Sequence, residues 1–421
     1  MEISKKEIDL INKSKYLIDN IFILESEPEF NNVILYNNKF NFNVKNNSIN
    51  NFILEQINNE DEIILFNKKY KKDQGQKLKY TFDKILYFCY RKNTYPFKSR
   101  ISASISRDSG WGCMIRCGQM IMARAIYKYL KSKKFSTEKA ISETIKYFLD
   151  IPYSEENIPS IFSSILSTNL NINNNKNIKI LPPFSAQMHC FLGKFYNKYA
   201  GEWFSDVHVC QNYRDINESF NLFPELSIIH FLTDFHLEEV LDKCFTLLNN
   251  ENVDKNKKIF NFNDKKYIMK KCGLIFISVR LGINKITNEY YDSLKKIFEC
   301  KECIGIIGGE TNLAHYFIGY NNKGNLLYLD PHITRDAVFE LNDDSIINGY
   351  LVKNILEISI DDMSTGLSFG FLFRNSEEFE DFIQFMEKYN KSSFPCFGYI
   401  KQKIEIDISK YENLFNDEDD F

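Results

Sequence analysis

Between residues 271 and 332 the chain strings together four short runs: KCGLIFISVRLG (271–282), CIGIIGG (303–309), HYFIGYNN (315–322) and NLLYLDPH (325–332). They are rich in β-branched, aliphatic and aromatic residues, and glycine breaks the first three, the pattern of strands in one sheet. A helix over ITNEYYDSLKKIFEC (286–300) is expected between two of them. Beyond them, LSFGFLFR (367–374) predicts another strand and SEEFEDFIQFMEKY (376–389) a closing helix with its serine as cap. Upstream, Met114, Cys117, Ile121 and Ala125 recur at three- and four-residue spacing, with Met122, Ile126 and Leu130 widening the stripe. That spacing predicts a helix starting near Cys113, with Asp108 and Ser109 as cap candidates. A helix followed by a mixed sheet is an α+β architecture.

Three Asn- and Lys-rich patches interrupt this order, NNKFNFNVKNNSINN (37–51), NLNINNNKN (169–177) and NNENVDKNKK (249–258). They lack apolar periodicity and read as solvated loops or insertions. The expected division is an N-terminal segment, 1–59, partly low in complexity; a domain over 60–400 with a helical insertion at about 135–265; and an acidic tail, 401–421. No internal repeat is visible. A chain of 421 residues with 44% hydrophobic and 15% aromatic content can bury a sizeable core, in one large domain with insertions or in two.

A net charge of −3 makes no electrostatic case for nucleic acid or an anionic membrane surface. The opening MEISKKEIDLINKSKYLIDN carries acids among its bases and no long apolar run, so a signal or transit peptide is not expected. Nor does any stretch reach the apolar length of a membrane span. The ten cysteines lack regular spacing, which suits reduced thiols and the cytoplasm. The one C-x-x-C, Cys300 to Cys303, has no second pair, and His189–Cys190 and His208-x-Cys210 do not supply one, so neither a metal nor another cofactor is expected.

The chemistry points elsewhere. RDSGWGCMIRCGQ (107–119) sets Cys113 at a helix start, where the free N–H groups favour a thiolate. Gly110 and Gly112, on either side of Trp111, let backbone approach a substrate carbonyl closely. The plain alternative is a small apolar residue in a packed helix. In NLLYLDPHITRDAV, Asp330 and His332 stand two apart at a strand end, where both face one way. Asp330 can then orient His332 while the other ring nitrogen faces a thiol; the alternative is a polar turn closing the strand. His315, which begins a strand, is a second base candidate without an acid two residues away. His189, His208, His230 and His236 fall in the expected helical middle with no strand-borne carboxylate. No G-x-S-x-G is present, and GGETN (308–312) lacks the lysine and spacing of a phosphate loop.

SGWGCMIRCGQM together with AHYFIGY and LLYLDPH resembles the autophagins, cysteine proteases with a papain-like core that process and delipidate ubiquitin-like autophagy modifiers. The resemblance runs, with interruptions, from about Tyr80 to Tyr389. It implies that Cys113 is the nucleophile, His332 the base and Asp330 the orienting acid, on a central helix packed against a mixed sheet with a smaller helical insertion. Through FCYRKNTYPF it implies that Tyr90 helps build the oxyanion site. Through AGEWFSD it implies that Trp203 covers the groove for the modifier's extended tail, with Trp111 and Gly112 also lining it. Ser205-Asp206 replaces the family's Gly-Pro, Thr311 its proline, and Leu313 a small polar residue. Cys117, one turn after Cys113, is expected in the core, with a redox role as the alternative.

The implied activity is thiol cleavage after a C-terminal glycine, on precursors and on the phosphatidylethanolamine conjugate. The chain would be a monomer that meets a membrane only through its lipidated substrate. In the tail, Tyr411-Glu-Asn-Leu414 has the form of a short motif that adds a strand to such a modifier. The alternatives are a deubiquitinase-like peptidase for another modifier and a catalytically silent modifier-binding protein.

Overall fold

The computed structural model describes residues 62–71, 74–94, 97–100, 104–150, 182–248, 258–341, 344–352 and 354–402. The expected N-terminal segment, the tail motif at Tyr411 and Leu414, and all but the last residue of the Asn-rich patches lie outside them.

Strict alternation builds the central sheet. In the Cys272–Arg280 strand, Leu274 and Phe276 enter one core cluster while Ile275 and Ile277 enter the other. The Leu313–Asn321 strand divides in the same way, Tyr316 and Ile318 to one side and Phe317 to the other. A strand apolar at every position is one covered on both faces. Across the sheet the order is Leu356–Ile358, Leu326–Leu329, Leu313–Asn321, Cys303–Glu310, Gly366–Phe373, Cys272–Arg280 and Leu226–Leu232. Neighbours along this path are antiparallel except the last pair, which is parallel. Glu62–Leu65 pairs with the far end of Leu313–Asn321 and carries Lys68–Lys71 beside it.

On one face lies the Cys113–Ser132 helix, buried on nearly every side rather than along the narrow stripe its spacing predicts; Ile115, Gln119 and Ala123 are covered as well. Two glycines allow its neighbours so near. A Cβ on Gly118 would stand 2.2 Å from Val209 of the Asp206–Phe220 helix, and one on Gly370 of the sheet 2.6 Å from Ile121. The opposite face is covered by the Ser376–Tyr389, Leu237–Cys244 and Tyr291–Ile297 helices. The closing helix has the expected span, but its cap is Asn375, whose side chain accepts from the Glu378 N–H; Ser376 is the first helical residue.

The expected helical insertion at about 135–265 needs correction. Its helices are present, but LSIIHFL forms the Leu226–Leu232 strand at the edge of the main sheet. Phe245–Leu247 joins Ile259–Phe262 and Lys265–Met269 in a three-stranded ribbon. His230 therefore lies on a sheet strand and His236 on a short strand paired with Tyr399–Ile400, not in helices. The physical reason is that a parallel partner is distant in sequence, so a strand of this kind has no hairpin turn to announce it. Among the described residues no helix is long and apolar enough to cross a membrane.

Candidate active site

The Cys113 helix begins without a side-chain cap: its N-cap is Gly112. Asp108 serves differently from the expected cap. Its carbonyl accepts from the Gly112 N–H at 2.8 Å, while its buried carboxylate accepts from the Arg91 N–H and from Arg116 Nε, each at 2.6 Å. Arg116 continues to Gln119 Oε1 at 2.9 Å and Asp150 Oδ1 at 3.2 Å, and Asp150 Oδ2 accepts from the Val338 N–H at 3.0 Å. One buried guanidinium thus ties the start of the helix to the segment bearing Tyr90 and to the chain beyond His332.

A short parallel ladder, Tyr90–Lys92 on Thr334–Asp336, brings Tyr90 to the Asp-Pro-His turn, and the Tyr90 N–H donates to Pro331 O at 3.0 Å. The sheet strand ends at Leu329, so Asp330 and His332 meet through the turn and not through strand pleating. His332 Nδ1 donates to Asp330 Oδ1, which also accepts the His332 backbone N–H at 3.1 Å. The Tyr87 hydroxyl holds the Asp330 carbonyl at 2.6 Å. His332 Nε2 is buried without a hydrogen-bond partner, and His332 helps to lower the Cys113 thiol. Such contacts are often long in a resting site and tighten with substrate. The Tyr90 ring stands edge-on to His332 at 5.4 Å.

The electrostatics favour an ion pair. Burial pushes the Cys113 thiol up, but His332, the Ala314 N–H and the Tyr90 hydroxyl outweigh it and bring it below the ordinary thiol value. Burial pulls His332 down, yet its bonds to Asp330 and Cys113 raise it to about 9. Burial likewise opposes ionisation of Asp330, and His332 reverses that, leaving the carboxyl lower than usual. Tyr90 is held protonated, first by burial and then by Cys113. If Tyr90 is the oxyanion donor that its motif implies, Tyr90→Phe should lower kcat by about 10²–10³ with KM little changed. A steady-state comparison with wild type measures this, and equal kcat values would remove Tyr90 from that role.

Trp111 is buried, edge-on to Phe97, with Nε1 donating to Arg107 O at 3.1 Å. Trp203 is 52% exposed and its Nε1 donates to Gly110 O at 2.8 Å, so it sits against the loop that leads into Cys113. Gly110 has φ +90°, a left-handed backbone that suits glycine. The Ser205-Asp206 departure keeps a well-formed helix start. Ser205 caps the Asp206–Phe220 helix in a reciprocal box with His208, and Asp206 accepts from Ser368 at 2.7 Å.

The other candidates separate cleanly. Cys117 is fully buried, and burial first of all pushes its thiol far up, which makes it a protonated core residue and leaves the redox alternative unsupported. His189 meets Asn212, His208 caps a helix and His230 bonds Ser278. His315 is brought into the site, and with a partner its sequence neighbourhood did not suggest: Nε2 meets Glu310 Oε1 at 3.0 Å. His315, Asp330 and His332 have ligand atoms within 4.8 Å of one another. His332 and Asp330 are bonded directly to each other, however, where two ligands of one ion would stand apart around it.

A family model described as the peptidase C54 catalytic domain matches residues 75–385, a span that contains Tyr90, Cys113, Trp203, Asp330 and His332. This chain belongs to the peptidase C54 family. Among curated relatives, "Cysteine protease ATG4B" of Xenopus laevis is 27% identical over 330 residues, 75% of this chain and 77% of that protein. "Cysteine protease ATG4A" of Homo sapiens is 24% identical over 352 residues, 80% of this chain and 81% of that one. "Cysteine protease atg4" of Emericella nidulans is 25% identical over 284 residues, 65% of this chain and 58% of that one. The autophagin resemblance read from the motifs is thereby borne out, and with it a cysteine protease. Within the C54 chain, sequence reasoning missed Arg116, Asp150, the true role of Asp108, and Glu310.

Proposed function

We propose that Cys113, His332 and Asp330 form the catalytic triad of a cytoplasmic peptidase that cuts ubiquitin-like autophagy modifiers after their C-terminal glycine. What supports this reading is the His332–Asp330 hydrogen bond with the Tyr90 ring edge-on to His332 at 5.4 Å, together with the lowering of the Cys113 thiol by His332, the Ala314 N–H and the Tyr90 hydroxyl. In the proposed sequence, the Cys113 thiolate attacks the glycine carbonyl. Tyr90 and the Cys113 N–H hold the oxyanion, and His332 gives its proton to the departing amine. The same step serves a peptide nitrogen and the amide nitrogen of an ethanolamine headgroup, so processing and lipid release share one thioester intermediate. Water, deprotonated by His332, then frees the glycine carboxylate.

Trp203, with Trp111 and Gly112 behind it, would line the passage for the modifier's extended tail, and Tyr411-Leu414 would add a docking strand. A monomer suffices for all of this. The test is incubation of the full chain with a modifier fused after glycine to a tag, and with the modifier conjugated to phosphatidylethanolamine on vesicles. Mass spectrometry reads both products. A new terminus at glycine in each supports the reading. A modifier that binds but stays whole would make the chain a silent binding protein, and cleavage of ubiquitin alone would make it a deubiquitinase-like enzyme.

A further inference from the structure

Glu310 ends one strand of a hairpin and His315 lies near the start of the next, joined through the Thr311-Asn312 turn. Because the Glu310 carboxylate only accepts, its 3.0 Å contact places a proton on His315 Nε2. The other nitrogen, Nδ1, is then a bare acceptor. It is buried without a partner, in a side chain only 2% exposed, and points toward Asp330 Oδ1 at 3.9 Å. Tyr328 fixes the ring from one side, 4.2 Å between centroids, and His332 stands edge-on to it at 5.7 Å.

An acceptor aimed at a carboxylate offers it no hydrogen bond. Asp330 Oδ1 therefore keeps its bonds for the His332 ring and backbone N–H. Were the proton on Nδ1, His315 would donate to Asp330 and compete with His332 for the same oxygen. The ionisable groups around His315 are Glu310 on its own hairpin, Tyr328 and Asp330 on the adjacent strand and turn, and His332 beyond. Burial first, with the His332 charge, keeps the ring below its ordinary value against the pull of Glu310 and Asp330. Between Glu310 and His315 lies Ala314, whose N–H faces the Cys113 sulfur. The same hairpin therefore touches the thiol and the orienting acid.

We propose that Glu310 locks His315 in its Nε2–H tautomer and that the pair positions Asp330 on His332. This rests on the triad reading above; Glu310 and His315 are positioning residues and need not touch substrate. The test compares the full chain with Glu310→Ala and Glu310→Gln, the glutamine oxygen being able to accept the same N–H. Long-range proton–nitrogen spectra of the six histidines report tautomers directly. The wild type should show His315 protonated on Nε2 and Glu310→Ala should show the proton on Nδ1. In Glu310→Ala kcat should fall about tenfold with KM within about twofold, less than the ~10⁴ seen when an orienting acid itself is neutralised. The pH profile of Cys113 alkylation should shift upward with it, and Glu310→Gln should restore both.

A wild-type His315 protonated on Nδ1 would overturn the proposal. So would unchanged kcat and alkylation in Glu310→Ala. A loss that Glu310→Gln fails to restore, accompanied by a lower melting temperature, would show a merely structural hairpin contact and overturn it too. Should the triad reading fail, Cys113→Ala would still cleave, while the tautomer spectra would stand apart from that result.

Discussion

Cys113→Ala should lower kcat/KM for modifier cleavage by about 10⁶-fold, and His332→Ala should do nearly the same, with the double variant losing no more than either. Groups that act as a unit are not additive. In the proposed triad the thiol needs the imidazolium to exist as an anion, and the imidazolium is needed again to protonate the leaving amine. The pH behaviour follows from the same pair. Cys113 sits below the ordinary thiol value and His332 above the ordinary imidazole, at about 9, so both shifts favour the thiolate–imidazolium pair. Alkylation of Cys113 by iodoacetamide should therefore persist on the acid side of ~8.5, the free-thiol value. Cleavage should decline as pH rises past about 9, where His332 surrenders the proton the leaving group requires. In His332→Ala the alkylation profile should move up. If Cys113→Ala retained more than a thousandth of wild-type activity, another nucleophile would have to be sought.

Arg116→Ala should be the most destabilising single exchange around the site. It strips the shared cation from Asp108 and Asp150, whose side chains are 0% and 1% exposed, and leaves the two buried carboxylates with Arg91 Nε, 3.7 Å from Asp150 Oδ2, as the remaining guanidinium. Breaking a buried pair from one side costs about 3–5 kcal/mol, because the desolvated charge remains after its partner has gone. For a domain of this size the melting temperature should drop on the order of 10 °C. Arg116→Lys should recover little, since an ammonium lacks the planar fork that reaches Asp108, Gln119 and Asp150 at once. Removing the charge on both acids as well, with Asp108→Asn and Asp150→Asn, should win back part of the loss. Urea unfolding measures each variant, and a cost under about 1 kcal/mol for Arg116→Ala would mean that water reaches the cluster. Residual activity should fall along with stability, because Asp108 also holds the Arg91 N–H and so the placement of Tyr90.

The strands at 272–280, 303–310 and 366–373 were legible in the chain as β-branched and aromatic runs broken by glycine, and the helix that opens on Cys113 by its three- and four-residue spacing. Asp330 and His332 were legible as a pair because only one residue separates them, and Cys113 because Gly-Trp-Gly and a helix start surround it. The family motifs added Tyr90 and Trp203, which composition could not single out from 24 tyrosines or interpret in an exposed indole.

What only the tertiary structure decided is who meets whom across the sheet. An apolar run such as LSIIHFL becomes an edge strand only once Cys272–Arg280 lies beside it. Asp108 looked like a helix cap because a short acid before a helix usually is one. Its carboxylate instead serves Arg91 and Arg116, and Arg116 reaches Asp150 thirty-four residues further on. Glu310 carries no signal of its own in the chain, and only the fold brings His315 onto it beside Asp330. Apolar burial is rewarded wherever the residue lands, so periodicity records it locally. A buried charge is tolerated only opposite one particular partner, and that partner is chosen by the packing of distant segments.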